Sequence, residues 1–415
     1  MNVHKAARLP LVVAVLTIGT LWISGCKDNN LVGGNLVQPN AVVQVDTIPL
    51  KNLTTTKIPA YTGDQSSFSV GMYKDQLFGT VTATGLIQPA LASVGGLDTL
   101  TDDSKISLVL YINNVYGDTT ASESYDVVEA SSPWRGREWM YNDTPPISNT
   151  VVGSFTVGDI NSLVADSLGD VDSVSVALNQ SWVQKYRQAY YNATSRDSSY
   201  TYTMPGFVIV PKSEGKILAV DPSNSHLFVE TPKDTARFVI NDWAYSVTRT
   251  NVPADTVNHL PMYSTFESVP KFDITVGTNG SLSINGVSLG TKAIARVQMM
   301  LYTDSTKMRS TLPVNNIRPA VSSLLLYYLH SDNIQFGILN GPISGGTAFE
   351  SAPGVYTLDL TSRVNSILTG SENAGSYYLL PQSHSGIIYS LLLNSSSDSL
   401  RSPKLIITSV KPTNQ

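Results

Sequence analysis

The 415-residue chain has one cysteine, Cys26, so no disulfide can form within it and core burial alone must hold its fold. Histidine is nearly as scarce. His4 sits near the N-terminus, and His226, His259, His330 and His384 are far apart with no HxH or HxxxH spacing, so no zinc site is expected. Charged residues make up only 14% of the chain, 27 basic against 32 acidic, which leaves no basic footprint for nucleic acid. No G-x-S-x-G elbow is present, and the Gly-rich "GPISGG" (341–346) is not followed by the Lys-Ser/Thr of a phosphate loop. Beyond residue 23 no apolar run is long enough for a membrane-spanning helix, which needs about 20 residues.

Against these absences stands a short apolar segment, Leu11 to Ile23, preceded by His4, Lys5 and Arg8. It is too short to span a bilayer and has the length and flanks of an export signal. Its end, Ile23-Ser24-Gly25-Cys26, resembles a bacterial lipobox, which implies loss of residues 1–25 and acylation of Cys26. Two or more acyl chains hold a protein firmly at a membrane. Removal of the signal takes Lys5 and Arg8 with it and moves the formal charge from −5 to −7. Residues 26–40, polar and Gly-rich without periodicity, read as a lipidated flexible tether.

The remaining chain reads as mainly β. Runs such as "AVVQVDTIPL", "SFSVGMY" and "LFGTVTATGLI" are rich in β-branched or aromatic residues and bounded by Gly, Asp or Pro. About 390 mature residues exceed what one core usually serves, so two domains are expected, 41–250 and 251–415. An internal duplication supports the division: "SKISLVLYINNVYGDTT" from Ser104 faces "TKAIARVQMMLYTDSTK" from Thr291. Downstream of each comes one short amphipathic helix. In the first, Trp182, Tyr186, Ala189 and Tyr190 share a face; in the second, Thr361 is a candidate N-cap, Val364, Ile367 and Leu368 form the apolar face, and Gly370 is a stop. After each helix follow similar strands, "GFVIVP", "KILAVD", "HLFVET" and "SYYLLPQ", "GIIYSLLLN", "PKLIITSV". The fold expected is two jelly-roll-like antiparallel β-sandwich domains, each with one short helix. The N-terminal strands are expected to complete the first sandwich, and Arg237 to Asn285 to cross between the units. Asn279-Gly280 and Asn285-Gly286 read as hairpin turns.

The succession "GVYTLDLTSRVNSILTG", "NAGSYYLLPQ", "SPKLIITSV" resembles the secreted DNRLRE-type β-sandwich domains over roughly the last hundred residues. More broadly, the chain from Cys26 resembles a family of Bacteroidota envelope lipoproteins defined by a domain of unknown function, through "SVGMYKDQLFGTVTA" and "LVLYINNVYGDTT". The resemblance implies an envelope lipoprotein and, through the DNRLRE similarity, contact with polysaccharide. It implies no catalytic residues.

A glycosidase pair needs two carboxyl groups about 5 to 10 Å apart. Asp102, Asp103, Asp118, Glu123 and Glu138 read instead as solvated turn residues, and Asp170 with Asp172 fall short of a calcium loop, so neither a metal nor a cofactor is expected. The unusual stretch is "SSPWRGREWMYNDTPP" (131–146). Trp134, Arg137, Trp139 and Tyr141 there form a candidate ligand site, since aromatic faces stack on sugar rings while polar groups satisfy hydroxyls; the alternative is that the aromatics plug one end of the sandwich. Trp243 and Tyr245 read as core or interface residues. The chain is therefore expected to be a non-enzymatic outer-membrane lipoprotein, held to the membrane by Cys26 and on its periplasmic or its outer face, that binds a polysaccharide or an envelope protein. Alternatives are a component of a secretion, adhesion or uptake assembly and, less favoured, a cryptic glycoside hydrolase.

Overall fold

The computed structural model describes residues 41–412 except 59, 92–99, 160–171, 193–197, 254–258, 291–292, 329–345, 382–384, 396 and 398–400. Cys26, the signal, the tether, Asp170, His330, His384 and nearly all of "GPISGG" lie outside the described residues. The chain forms strands β1 (Ala41–Pro49), β2 (Thr54–Thr56), β3 (Phe68–Asp75), β4 (Gly79–Pro89), β5 (Lys105–Asp118), β6 (Glu123–Ala130), β7 (Ile147–Val157) and β8 (Asp172–Ala177). Helices α1 (Gln180–Asn192) and α2 (Ser198–Thr203) lead to β9 (Phe207–Pro211), β10 (Lys216–Glu230) and β11 (Thr235–Thr250). The second half adds β12 (His259–Tyr263), β13 (Val269–Val276), β14 (Leu282–Ile284), β15 (Val287–Gly290) and β16 (Ala293–Tyr302), then α3 (Ser305–Ser310), β17 (Asn316–Ile317), β18 (Ser323–Tyr328), β19 (Thr347–Ala352) and β20 (Val355–Asp359). Helix α4 (Thr361–Leu368) is followed by β21 (Gly375–Pro381), β22 (Ser390–Asn394) and β23 (Lys404–Pro412).

The strands pair antiparallel in two large sheets, and β12 with β22 makes a third, small one. In the first sheet β3 pairs with both β10 and β4, so the sheet folds over itself. It encloses a core that includes Phe68, Leu108, Tyr125, Phe207 and Tyr245. The second sheet encloses Phe272, Met299, Leu358, Tyr377 and Leu405. Alternating burial along β5 and β4 follows from their period-2 sequence: one face of each strand is buried and the other meets solvent or a covering element. The molecule is thus two jelly-roll-like β-sandwiches.

The duplication extends to hydrogen bonds. Strand β5 pairs with β8 and β10 as β16 pairs with β20 and β23, and β6 pairs with β7 and β9 as β18 pairs with β19 and β21. Just before each helix the same bond recurs: Leu178 donates its N–H to the carbonyl of Ile106, and Leu360 donates to that of Val297. Helix α1 buries Trp182, Val183, Tyr186 and Tyr190, the face its spacing predicts. Its first turn is capped by Asn179, whose Oδ1 accepts the Trp182 N–H at 3.0 Å. Helix α4 buries Val364 and Ile367 but leaves Leu368 exposed, and its N-cap is Leu360 rather than Thr361. The Thr361 hydroxyl instead accepts the Val297 N–H at 3.0 Å, tying the helix to β16. Gly370, at φ +74°, takes the left-handed conformation that ends α4.

The N-terminal strands depart from expectation as well. Strands β1 and β2 pair with β23 and β13, so residues 41–56 extend the second sheet instead of completing the first. The duplication gives the reason: β10 has β11 along its free edge, while β23 ends the second unit with that edge bare, and β1 fills it. In return β17 pairs with β5, so a boundary at 250/251 does not cleanly separate the sheets. Asn285-Gly286 makes the expected tight turn, with φ of 49° and 80°. In the wider turn at Asn279-Gly280 only Gly280 has positive φ.

The units meet across a buried junction. Arg318 Nε and Nη2 donate to Asp75 Oδ2 and Oδ1 at 2.7 and 2.8 Å, with side chains 5% and 0% exposed. Asp75 also accepts the Tyr116 hydroxyl and the N–H groups of Leu77 and Phe78. Arg249 pairs with Glu267 at 3.1 Å and lies 3.7 Å from the centre of the Tyr263 ring. Among the described residues no helix is long and apolar enough to cross a membrane.

Candidate functional site

The 131–146 segment joins β6 to β7 and is pinned by neighbours on both sides. Gly136 to Glu138 form a single 3-10 turn, and both carboxylate oxygens of Asp242 accept the Gly136 N–H at 3.0 Å. A side chain at Gly136 would run into that carboxylate, and one at Gly63 would run into the Gly136 carbonyl, so the segment packs backbone to backbone against its supports. Burial raises the Asp242 carboxyl above its ordinary range, while the Gly136 N–H opposes the rise.

The structure divides the four candidate ligand residues. Trp134 is only 6% exposed; it packs on Leu86, Val128, Val208 and Ala244 and donates its indole N–H to the Pro205 carbonyl at 2.8 Å. Trp139 is half-buried against the same cluster, with its indole N–H on Ser246 Oγ at 3.0 Å. Tyr141 leaves the segment altogether and packs with Phe266, Val269, Tyr327 and Tyr378 in the junction between units. Arg137 alone is fully displayed, its side chain 87% exposed with Nε 2.9 Å from Asp64 Oδ2. Trp134 and Trp139 thus pack on one cluster, whereas Tyr141 packs in the junction between the units.

Trp134 and Arg137 nevertheless meet at one place, an open cleft of about 1140 Å³. Further lining comes from β11 and α2, outside the stretch that the sequence singles out. Between Ile240 and Asp242 the register of β11 against β4 shifts by a residue, and Asn241 is the residue left over. Such a bulge re-aims the side chains beside it. Here Asn241, Asp242 and Trp243 all line the cleft. Trp243 is half-buried, its indole N–H on the Gln65 carbonyl at 2.7 Å, while Tyr245 two residues on is fully buried as expected. From α2 comes Tyr202, 71% exposed at the cleft wall, on a short helix held by the bond of Tyr200 to the Pro89 carbonyl at 2.8 Å.

Three carboxylates line this cleft and each is engaged: Asp64 by Arg137, Glu138 by Arg135 at 3.5 Å, and Asp242 by the Gly136 N–H. The other acidic candidates lie elsewhere. Asp102 pairs with Arg187 on the surface, Asp103 is exposed, and Asp118 caps a turn. Burial would raise Asp118, yet hydrogen bonds from Thr120 and Ala121 bring it below its ordinary value. Glu123 is no turn residue: it is fully buried, and burial pushes its carboxyl up to about 7 against the N–H groups of Met72 and Lys216 that it accepts. Lys216 beside it is also buried, its Nζ donating to the carbonyls of Gly158 and Thr119 at 2.6 and 3.3 Å. Among the described residues no group of three or more His, Cys, Asp or Glu side chains could hold a metal ion. No protein-family model matches the chain, and no curated protein matches it.

Proposed function

We propose that the chain is an outer-membrane lipoprotein, anchored through Cys26, whose folded part is a non-catalytic module that takes a polysaccharide in the Tyr202–Trp243 cleft. The observation that carries this reading is the exposed Tyr202, which lines one open groove together with Asn241, Arg135 and Arg137. A flat aromatic surface receives the apolar face of a sugar, and the amide and guanidinium groups suit its hydroxyls. The non-catalytic part of the reading is supported by the engagement of all three cleft carboxylates in ion pairs or backbone bonds. The apolar segment ending in Ser24-Gly25-Cys26 supports the anchor.

Affinity electrophoresis of the mature chain carrying Cys26→Ser, run through gels containing different polysaccharides, tests the cleft. Retardation by at least one of them is expected, weakened roughly tenfold by Tyr202→Ala, a loss of about 1–2 kcal/mol for one stacked ring. Retardation that Tyr202→Ala and Arg137→Ala leave intact would move the site elsewhere, and mobility unchanged by every polysaccharide would remove the glycan reading. Membrane retention of the Cys26→Ser chain in cells would count against the anchor.

A further inference from the structure

We infer that β1 is a self-association edge, across which two copies of this chain pair their β1 strands antiparallel about a twofold axis at Val45. The internal duplication exposes the feature. In the first unit β10 is covered by β11, which runs on to pair with β4. In the second unit β23 is covered by β1, and no strand pairs with the outer side of β1 among the described residues.

That edge carries few of the devices that normally keep sheet edges apart, Asp46 being its one charged residue. Its register against β23 runs unbroken from Ala41↔Pro412 to Pro49↔Lys404, with no bulge. It holds no Lys or Arg, and its one proline is the last residue. By contrast β7, at an edge of the first sheet, carries two register shifts against β6, and β15, at the far end of the second, has only four residues. On β1 Val43 and Val45 are 62% and 59% exposed, and across the pairing to β23 the same face presents Val410, Thr408 and Ile406. A long, regular, apolar strand edge offers both backbone hydrogen bonds and a surface to bury.

The sequence of β1 names a second copy as the occupant. A twofold axis normal to the sheet keeps every residue on its own face, so opposed residues share parity and the strand must centre on one of its own residues. Centring on Asp46 would set two carboxylates against each other, and centring on Gln44 would set Asp46 against an exposed valine. Centring on Val45 places Asp46 opposite the partner's Gln44, Val43 opposite the partner's Thr47, and Val45 opposite the partner's Val45. Gln44 Nε2 already donates to Asp46 Oδ1 of its own strand at 2.6 Å, so this register sets two such pairs side by side with no carboxylate against a carboxylate, and it alone buries the two Val45 side chains against one another. One strand pair buries less than a standard interface, so micromolar dissociation is expected.

Because Cys26 is the only thiol, the full chain with Cys26→Ser lets introduced thiols report the register alone. Opposed residues of an antiparallel pair lie about 4.5–5.5 Å apart at Cα, within disulfide range. Val45→Cys should therefore give a covalent dimer on oxidation. Val43→Cys and Thr47→Cys should each fail alone, their copies being offset by about 13 Å along the strands, and should cross-link when mixed. Light scattering should show a dimer that Val45→Lys weakens at least tenfold. A monomer at high micromolar concentration, or cross-linking at 43 and 47 alone as efficient as at 45, would overturn the inference. So would vesicle binding that depends on the valines in a chain that stays monomeric, since the edge would then face lipid.

Discussion

The two sandwiches share one strand plan but differ in how they fill it. In the first, three turns of α1 press Trp182, Tyr186 and Tyr190 onto the core, with the Trp182 ring stacked on Tyr186 and tilted against Phe207. In the second, two turns of α4 contribute only Val364 and Ile367. The first unit closes its β10 edge with its own following strand, whereas the second borrows the chain's first strand and leaves β1 as a new edge. Between β6 and β7 the first unit carries the 131–146 segment and the cleft. The equivalent connection of the second, between β18 and β19, lies largely outside the described residues. Paired strands and the helix entry were kept because each is fixed by many hydrogen bonds at once. Edges and connections differ because a change there disturbs few of them.

The largest way to break the relation between the units is to cut their junction. Arg318→Ala leaves the Asp75 carboxylate, 0% exposed, without its cation. Removing one partner of a buried pair costs about 3–5 kcal/mol. In scanning calorimetry the variant should unfold at lower temperature and in two transitions, one per sandwich. A loss under about 1 kcal/mol would mean that water reaches the site and that the ion pair is not buried as described.

A pH experiment separates the units next. The Glu123 carboxyl lies in the first core with its pKa pushed from 4.5 to about 7. In this range the folded state holds a proton that the unfolded state has lost, so stability falls as pH rises from 4.5 to about 7. The penalty is absent below that window and reaches on the order of 3 kcal/mol above it. Urea unfolding should show this slope in the first sandwich, and Glu123→Gln should flatten it. An equal slope in the Gln variant would place the titration on another group.

How much of this was legible in the sequence depends on the range of the interaction. Alternation along β4 and β5 and the spacing of Trp182, Tyr186 and Tyr190 are local patterns, and they carry the β content, helices α1 and α4 and the duplication, but not the six-residue helices α2 and α3. Which strand β1 pairs with is decided some 360 residues away, on β23, and no local pattern carries that choice. The cleft divides in the same way. Arg137 and Trp134 announce themselves in "PWRGREW", but Tyr202 comes from a helix of six residues with no apolar period, and Asn241 is exposed only by a bulge. Tyr141 is lost to the junction because its partners Phe266 and Tyr378 belong to the other unit. Glu123 reads as a solvated turn residue, since burial of a charged side chain depends on backbone partners that composition does not reveal.

The finest comparison lies at the two helix starts, where one amide is protected in each unit by a different device. Asn179 accepts the N–H of Trp182, inside α1, while Thr361 accepts the N–H of Val297, inside β16. Asn179→Ala and Thr361→Val each remove one acceptor, and each should cost about 1 kcal/mol. The stability loss alone does not tell the two devices apart, but amide hydrogen exchange does. Asn179→Ala should speed exchange at Trp182 and leave strand β5 protected, since the Ile106–Leu178 bond is untouched. Thr361→Val should speed exchange at Val297 in the strand, with little change inside α4, whose N-cap has no side-chain bond to lose. If both variants loosened only their helices, Thr361 would be an ordinary cap, and the two units would enter their helices by the same means.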